Sequence, residues 1–160
     1  MSKRKRSAGI LLFRGSDSRL EVLLVHPGGP YWARKDARAW TVPKGEFEAG
    51  EEAQACALRE LGEELGPQAP QLSTAQLIDL GSVRQRSGKV VECWAAEAGF
   101  DPATLDSNLF EMEWPPRSGE RCEFPEVDRA EWFDPDTARK KLIAAQVTFV
   151  DRLLKRTSGE

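Results

Sequence analysis

Hydrophobic positions along the chain fall into short runs with two different spacings. Ala8 to Phe13 and Leu20 to Val25 are apolar, β-rich runs separated by the turn-like Arg14-Gly15-Ser16-Asp17-Ser18, which predicts a hairpin. A loop, His26-Pro27-Gly28-Gly29-Pro30, leads into a segment of aromatic and basic residues. Trp40-Thr41-Val42 reads as a short strand stopped by Pro43. From Glu51 to Leu65 the spacing changes: Ala57, Leu58, Leu61 and Leu65 recur at helical intervals, and Gly66-Pro67 is a stop signal. Gln76 to Val83 and Val90 to Glu97 are two further strands. The stretch 99–125, rich in Pro, Gly and charge, reads as a long loop that is functional or partly structured. Glu131-Trp132-Phe133 is a last strand. A final helix is expected over Thr137 to Lys155, capped by Asp134 or Asp136, with Leu142, Ala145, Phe149 and Leu153 on its buried face. Strands on both sides of one helix, followed by a second helix, predict a sheet sandwiched between helices.

The chain's 160 residues match a single domain over 8–160 behind a polar tail, 1–7. At 40% hydrophobic and 31% charged residues, disordered and fibrous classes are excluded. No apolar run approaches the roughly 20 residues of a membrane span, and Ile10 to Phe13 is short for a signal sequence. A net charge of -3 argues against nucleic acid or an anionic membrane as partner. Lys3, Arg4, Lys5 and Arg6 read as a solvated tail. Cys56, Cys93 and Cys122 form neither a disulfide framework nor a zinc motif, which points to a reduced, cytoplasmic setting. The lone His26 reads as structural.

The acidic residues say more by position than by number. Glu60, Glu63 and Glu64 stand at i, i+3 and i+4, within an arc of about 100° on one helix face. Like charges so placed repel, and a hard divalent cation with oxygen ligands would resolve the conflict. A plain solvated acidic face carries the same pattern. The wider segment, GEFEAGEEAQACALRELGEELGP from Gly45 to Pro67, resembles the Nudix box: Gly, five residues, Glu, seven residues, Arg-Glu-aliphatic-x-Glu-Glu-x-Gly. Gly45, Glu51, Arg59, Glu60, Leu61, Glu63, Glu64 and Gly66 match at the family's spacing. Seven of them are fixed residue types, each used at about one position in fifteen, so a chance match is of order one in 10⁸. Pro67 departs, standing where the family has an aliphatic residue, and Gly62 weakens the helix by up to ~1 kcal/mol. Trp40 to Gly45 leads into the box as in many members.

The resemblance implies an α+β Nudix fold, an α/β/α sandwich around a mixed sheet, and divalent-metal-dependent hydrolysis of a nucleoside diphosphate linked to a further group. It implies Mg²⁺ or Mn²⁺ held by Glu60, Glu64 and the Gly45 carbonyl, with Glu63 as third ligand or as base. Arg59 would orient a carboxylate, and Glu51 would pair with Arg59 or support the loop. Glu126 is the preferred later-loop base, with Glu123 second. Lys44 is the first candidate for a phosphate contact, followed by Arg34, Lys35 and Arg84, and then Arg86 and Lys89. Tyr31, Trp32, Trp94, Phe110 and Trp114 are stacking candidates, each of which reads more often as core than as a ligand contact. The substrate expected first is a dinucleoside polyphosphate of the diadenosine tetraphosphate type, then nucleoside triphosphates including oxidised forms, then ADP-ribose or nucleotide sugars. A monomer or homodimer is expected. The competing readings are a non-catalytic nucleotide-binding module and, more remotely, an RNA-binding protein.

Overall fold

In the computed structural model, which describes residues 5–158, the first apolar run is the hub of the molecule. Strand β1 (Arg6–Arg14) lies beside four others: β2 (Glu21–Pro27), β5 (Val90–Glu97), and through these β8 (Val127–Phe133) and β4 (Ile78–Arg84), in the order β4-β5-β1-β2-β8. A sixth, β3 (Lys44–Glu46), pairs antiparallel with the start of β1, Ala8 opposite Gly45. β1 and β5 run parallel over eight paired positions, Arg6 with Val90 through Phe13 with Glu97, so the sheet is mixed.

The unbroken apolar run in β1 is explained by cover on both faces. With period two, Ile10 and Leu12 face one side and Leu11 and Phe13 the other. The first side packs on helix α1 (Ala53–Leu65) through Ala57, Leu61 and Leu65. The second packs on helices α2 (Pro135–Lys141) and α3 (Val147–Thr157) through Ala138, Phe149, Val150 and Leu153. The α/β/α sandwich is therefore present. Among the described residues no helix is long and apolar enough to cross a membrane.

Five expectations are revised. The hairpin forms, but β2 pairs with β1 only at Phe13–Val22 and Arg14–Glu21, then diverges to pair with β8 from Val22 to Pro27. The strand begins at Arg6, inside the stretch read as a tail. Ser7 is fully buried, the Lys5 carbonyl accepts from Val90 N, and Arg6 sits over the Phe47 ring. Lys3 and Arg4 lie outside the described residues. Trp40-Thr41-Val42 makes isolated bridges, Thr41 to Val25 and Trp40 to Leu142, and the strand follows Pro43 instead. The 99–125 stretch holds an antiparallel hairpin, β6 (Leu109–Glu113) and β7 (Arg121–Pro125).

The final helix is broken into α2 and α3 by extended residues and a 3₁₀ turn, Ala144–Gln146. The break docks this segment against the loop before β3. Ile143 N donates to the Trp40 carbonyl, and the buried Gln146 accepts from Val42 N at 2.9 Å while donating to Gln85 Oε1. An apolar period of 3.6 does not register that break, because Leu142 and Phe149 stay on the buried side throughout.

Candidate active site

The site is assembled where α1 meets β3 and the start of β8. Gly66 ends α1 with φ +95, and the last turn's carbonyls are satisfied from the segment before β6: Asp106 N donates to Leu65 O, and Asn108 N donates to Glu63 O. Asn108 O in turn accepts from Glu126 N at 2.8 Å, and Glu126 O accepts from Gly28 N at 3.0 Å. This backbone relay fixes Glu126, distant in sequence, against the helix face that carries Glu60 and Glu64. Carboxylate oxygens of Glu60, Glu64 and Glu126 lie within 4.8 Å of one another.

The glycine of the box has a steric reason. A Cβ on Gly45 would stand 1.9 Å from the Glu60 carboxyl carbon, so the Glu60 head group occupies the space a side chain would take. The adjacent Lys44 N donates to Glu64 Oε1 at 3.2 Å, and the Gly45 carbonyl accepts from Cys56 Sγ at 3.4 Å. Arg59 organises the outer side of the cluster. Its Nε and Nη2 each lie 2.8 Å from a Glu51 oxygen, a bidentate pair, while Nη1 reaches Glu60 at 2.9 Å and Glu63 at 3.1 Å. Nη2 also donates to the Glu46 carbonyl. The Arg59 guanidinium holds the Glu51 carboxyl down at about 2. Glu63 is thus tied to Arg59 and stands outside the three-oxygen cluster.

Inside the cluster the electrostatics run the other way. Burial, joined by the neighbouring carboxylates and only partly opposed by Lys44, pushes Glu64 up to about 8. Glu60 and Glu126 are also raised, by burial first and the Glu63 charge second. Burial lowers Lys44, and the Lys89 charge lowers it further. Three converging carboxyls that resist ionisation together are a donor set that fits a hard divalent cation, whose charge would reverse the repulsion. The Cys56 thiol, raised to about 11 by burial, is a packing residue.

The remaining sequence candidates are distributed unevenly. Glu123 is exposed in β7, opposite Glu111, and is not brought to the cluster. Arg34 is exposed on the loop after β2, Lys35 lies over the Trp32 ring at 5.0 Å, and Arg84 is exposed at the end of β4. None of the three forms an ion pair with the clustered carboxylates among the described residues. Trp94 is core, whereas Tyr31 and Trp114 meet edge-on at 5.4 Å beside Phe110 and Trp32. His26 is fully buried between Asp128 Oδ1, 2.7 Å from Nδ1, and the Lys35 carbonyl, 2.6 Å from Nε2, and so joins the aromatic loop to β8. Sequence reasoning did not anticipate Asn108 and Gly28, which act through backbone bonds, or Asp128, whose carboxylate meets His26 from far along the chain, and none of these leaves a motif.

A NUDIX domain model matches residues 3–153. The fold and the box, intact in all its charged positions, define a hydrolase of nucleoside diphosphates linked to a further group. The chain belongs to the Nudix family, and its full set of box carboxylates places it among the family's pyrophosphohydrolases. No curated protein matches it in sequence. Similar solved structures include a Caenorhabditis elegans Ap4A hydrolase binary complex, 20% identical over 96% of this chain and 99% of that one, with TM-score 0.64. The NUDIX domain of Shewanella oneidensis NrtR, solved with ADP ribose, is 16% identical over 98% and 90%, also at 0.64. MutT, from work on the Aliivibrio salmonicida and Vibrio cholerae proteins, is 16% identical over 99% of each chain, at 0.51.

Proposed function

We propose that this enzyme hydrolyses a dinucleoside polyphosphate of the diadenosine tetraphosphate type, with nucleoside triphosphates as the next substrate class. The observation that carries the hydrolytic reading is the convergence of Glu60, Glu64 and Glu126 within 4.8 Å on a partly buried face. Lys44, beside the cluster, and the basic residues flanking the box support a ligand with a long phosphate chain. The overall likeness to an Ap4A hydrolase agrees with this choice. ADP-ribose, the ligand of the NrtR domain, is the competing substrate.

Glu60, Glu64 and the Gly45 carbonyl are assigned to hold Mg²⁺ or Mn²⁺, while Glu63, ion-paired with Arg59, stays outside the set. When bound, the cation neutralises phosphate charge and acidifies water. Arg59 keeps Glu60 and Glu63 in register through its pair with Glu51. Lys44 offers its charge to a phosphate oxygen. Glu126 is assigned as general base: it comes from a separate element and its raised carboxyl binds a proton more readily than a free one. Water attacks phosphorus, its proton passes to Glu126, and the phosphoanhydride P–O bond breaks to release the shorter nucleotide.

A screen of diadenosine tetraphosphate, nucleoside triphosphates and ADP-ribose with Mg²⁺, with and without EDTA and with products identified, tests the reading. Fastest turnover of the dinucleotide is expected, abolished by EDTA. Binding without turnover across the panel would establish a non-catalytic module instead.

A further inference from the structure

His26, the chain's only histidine, closes a ring of bonds that includes Glu126. The segments 26–28 and 126–128 run antiparallel where β2 ends and β8 begins. At one end Gly28 N donates to the Glu126 carbonyl at 3.0 Å, and at the other His26 Nδ1 lies 2.7 Å from Asp128 Oδ1. Between them the ladder slips: His26 pairs with Arg129 but Pro27 with Val127, so Asp128 is the extra residue of a β-bulge. The packing carries the mark of that bulge. Val127 and Ala130 are three residues apart, which a regular strand would place on opposite faces, yet both are buried in the cluster on α1. The bulge thus sets where the first residues of β8 and the adjoining Glu126 fall. Gly28 permits the closure, since a Cβ there would stand 1.9 Å from the Pro125 carbonyl oxygen.

We propose that His26 is a positioning residue for the hydrolysis: as a buried imidazolium it pins the Asp128 bulge and thereby aims the Glu126 carboxylate at the cluster. The inference rests on the assignment of Glu126 as general base. The ring is fully buried, and both its nitrogens face oxygens. The Lys35 carbonyl, 2.6 Å from Nε2, can only accept, so Nε2 carries a hydrogen. Asp128 keeps 31% of its side chain exposed, and an imidazole holds a proton more tightly than a carboxyl does. The proton between them therefore stays on Nδ1, which donates in a charge-assisted bond. A buried charge is tolerated when it is paired and hydrogen-bonded, and both ring N–H groups are used here. The other charges around the ring are Arg129, whose Nε is 4.0 Å from Asp128 Oδ1 and whose guanidinium lies over the Trp40 ring, and Lys35, whose ammonium turns to Trp32. A neutral ring would donate to only one of the two oxygens. The charge is what joins the Lys35 loop and the bulge in one clamp. Ser107 Oγ completes the arrangement by accepting from Val127 N at 3.1 Å.

The test uses the untagged full chain, Asp128→Ala, and Glu126→Gln with and without Asp128→Ala. Asp128→Ala unpins the bulge and leaves the buried ring in place, whereas Asp128→Asn keeps an acceptor for Nδ1 and serves as the conservative rescue. In EDTA, nitrogen-15 NMR of the single histidine is expected to show two ring N–H groups in the wild type, with Nδ1–H lost to exchange in Asp128→Ala. Exchange of the Gly28 and Glu126 amides is expected to quicken roughly ten-fold in that variant, with the α1 amides unchanged. With Mg²⁺ and the panel compound turned over fastest, kcat of Asp128→Ala is expected to fall roughly ten- to a hundred-fold at constant KM, with part of the loss restored in Asp128→Asn. His26→Asn, which can reach only one of the two oxygens, is expected to match Asp128→Ala. In Glu126→Gln, Asp128→Ala is expected to cost nothing further, because the pair acts through one carboxylate. A single ring N–H in the wild type would overturn the clamp. An unchanged kcat in Asp128→Ala, or an equal loss with and without Glu126, would overturn the positioning role. If the wild type turns over none of the panel, or Glu126→Gln keeps its full rate, the reading of the site fails, while the ring N–H groups and the amide exchange still decide whether His26 pins Glu126.

Discussion

Gly45 shows how much one residue of the box decides. Its missing side chain is the space filled by the Glu60 carboxylate, and its neighbour's amide holds Glu64. Gly45→Ala is expected to displace Glu60 while leaving the β1–β3 pairing in place, and to weaken Mg²⁺ affinity by roughly 10- to 100-fold, in the range of lost outer-shell support. Calorimetric titration of Mg²⁺ checks this, and unchanged affinity would refute the steric account. Glu51 illustrates a role that spacing alone left open. Its bidentate pair with Arg59 uses two guanidinium nitrogens, and the third is left for Glu60 and Glu63. The box residues were legible in the sequence because their chemistry is fixed by type and interval. Glu126 was legible as the preferred of two candidates, from its place before Trp132 alone. What brings Glu126 and not Glu123 to the cluster is a backbone bond from Glu126 N to the Asn108 carbonyl, and any residue can supply such a bond.

At the scale of elements, the strands and α1 follow from apolar period, while connections depend on contacts that no period encodes. Within 99–125, read as functional or partly structured, the two strands themselves escaped because they alternate between exposed and half-buried positions and pack on each other, apart from the main sheet. The break between α2 and α3 escaped for the opposite reason: both pieces keep their apolar residues inward. What marks the break is Gln146, a fully buried polar side chain bonded to Val42 N and Gln85. Gln146→Leu leaves the Val42 amide unpaired in the core and is expected to cost about 1–3 kcal/mol of stability, read by urea unfolding. Because Val42 lies two residues before Lys44, the same substitution is expected to loosen β3 and to lower hydrogen-exchange protection there more than at α1. A stability within error of wild type would show that the docking contact is dispensable.

At the scale of the molecule, the acidic site opposes the fold that carries it. Glu64 binds its proton more tightly in the folded chain, near 8, than as a free carboxyl near 4.5. A raised carboxyl contributes stability that is complete below the unfolded value and is lost as pH climbs through the folded one. Glu60 and Glu126 are shifted in the same direction. Glu51, held at about 2, contributes the reverse dependence, but only as pH falls below the ordinary carboxyl range. In EDTA the melting temperature is therefore expected to decline as pH rises from about 4.5 toward 8, and excess Mg²⁺ is expected to reduce the decline by binding the ionised form. A metal-free melting temperature that rises over this interval would contradict the assignment of strain to the cluster. The central claim is that this cluster is a cation-dependent hydrolytic centre, and one comparison addresses it most directly: the initial rate of diadenosine tetraphosphate hydrolysis against Mg²⁺ concentration for wild type and Glu64→Gln, with melting curves of both. The account predicts a wild-type rate that rises with Mg²⁺ to saturation and a variant that melts normally but loses at least roughly a hundred-fold in rate. Wild-type turnover in a normally folded Glu64→Gln protein would contradict it.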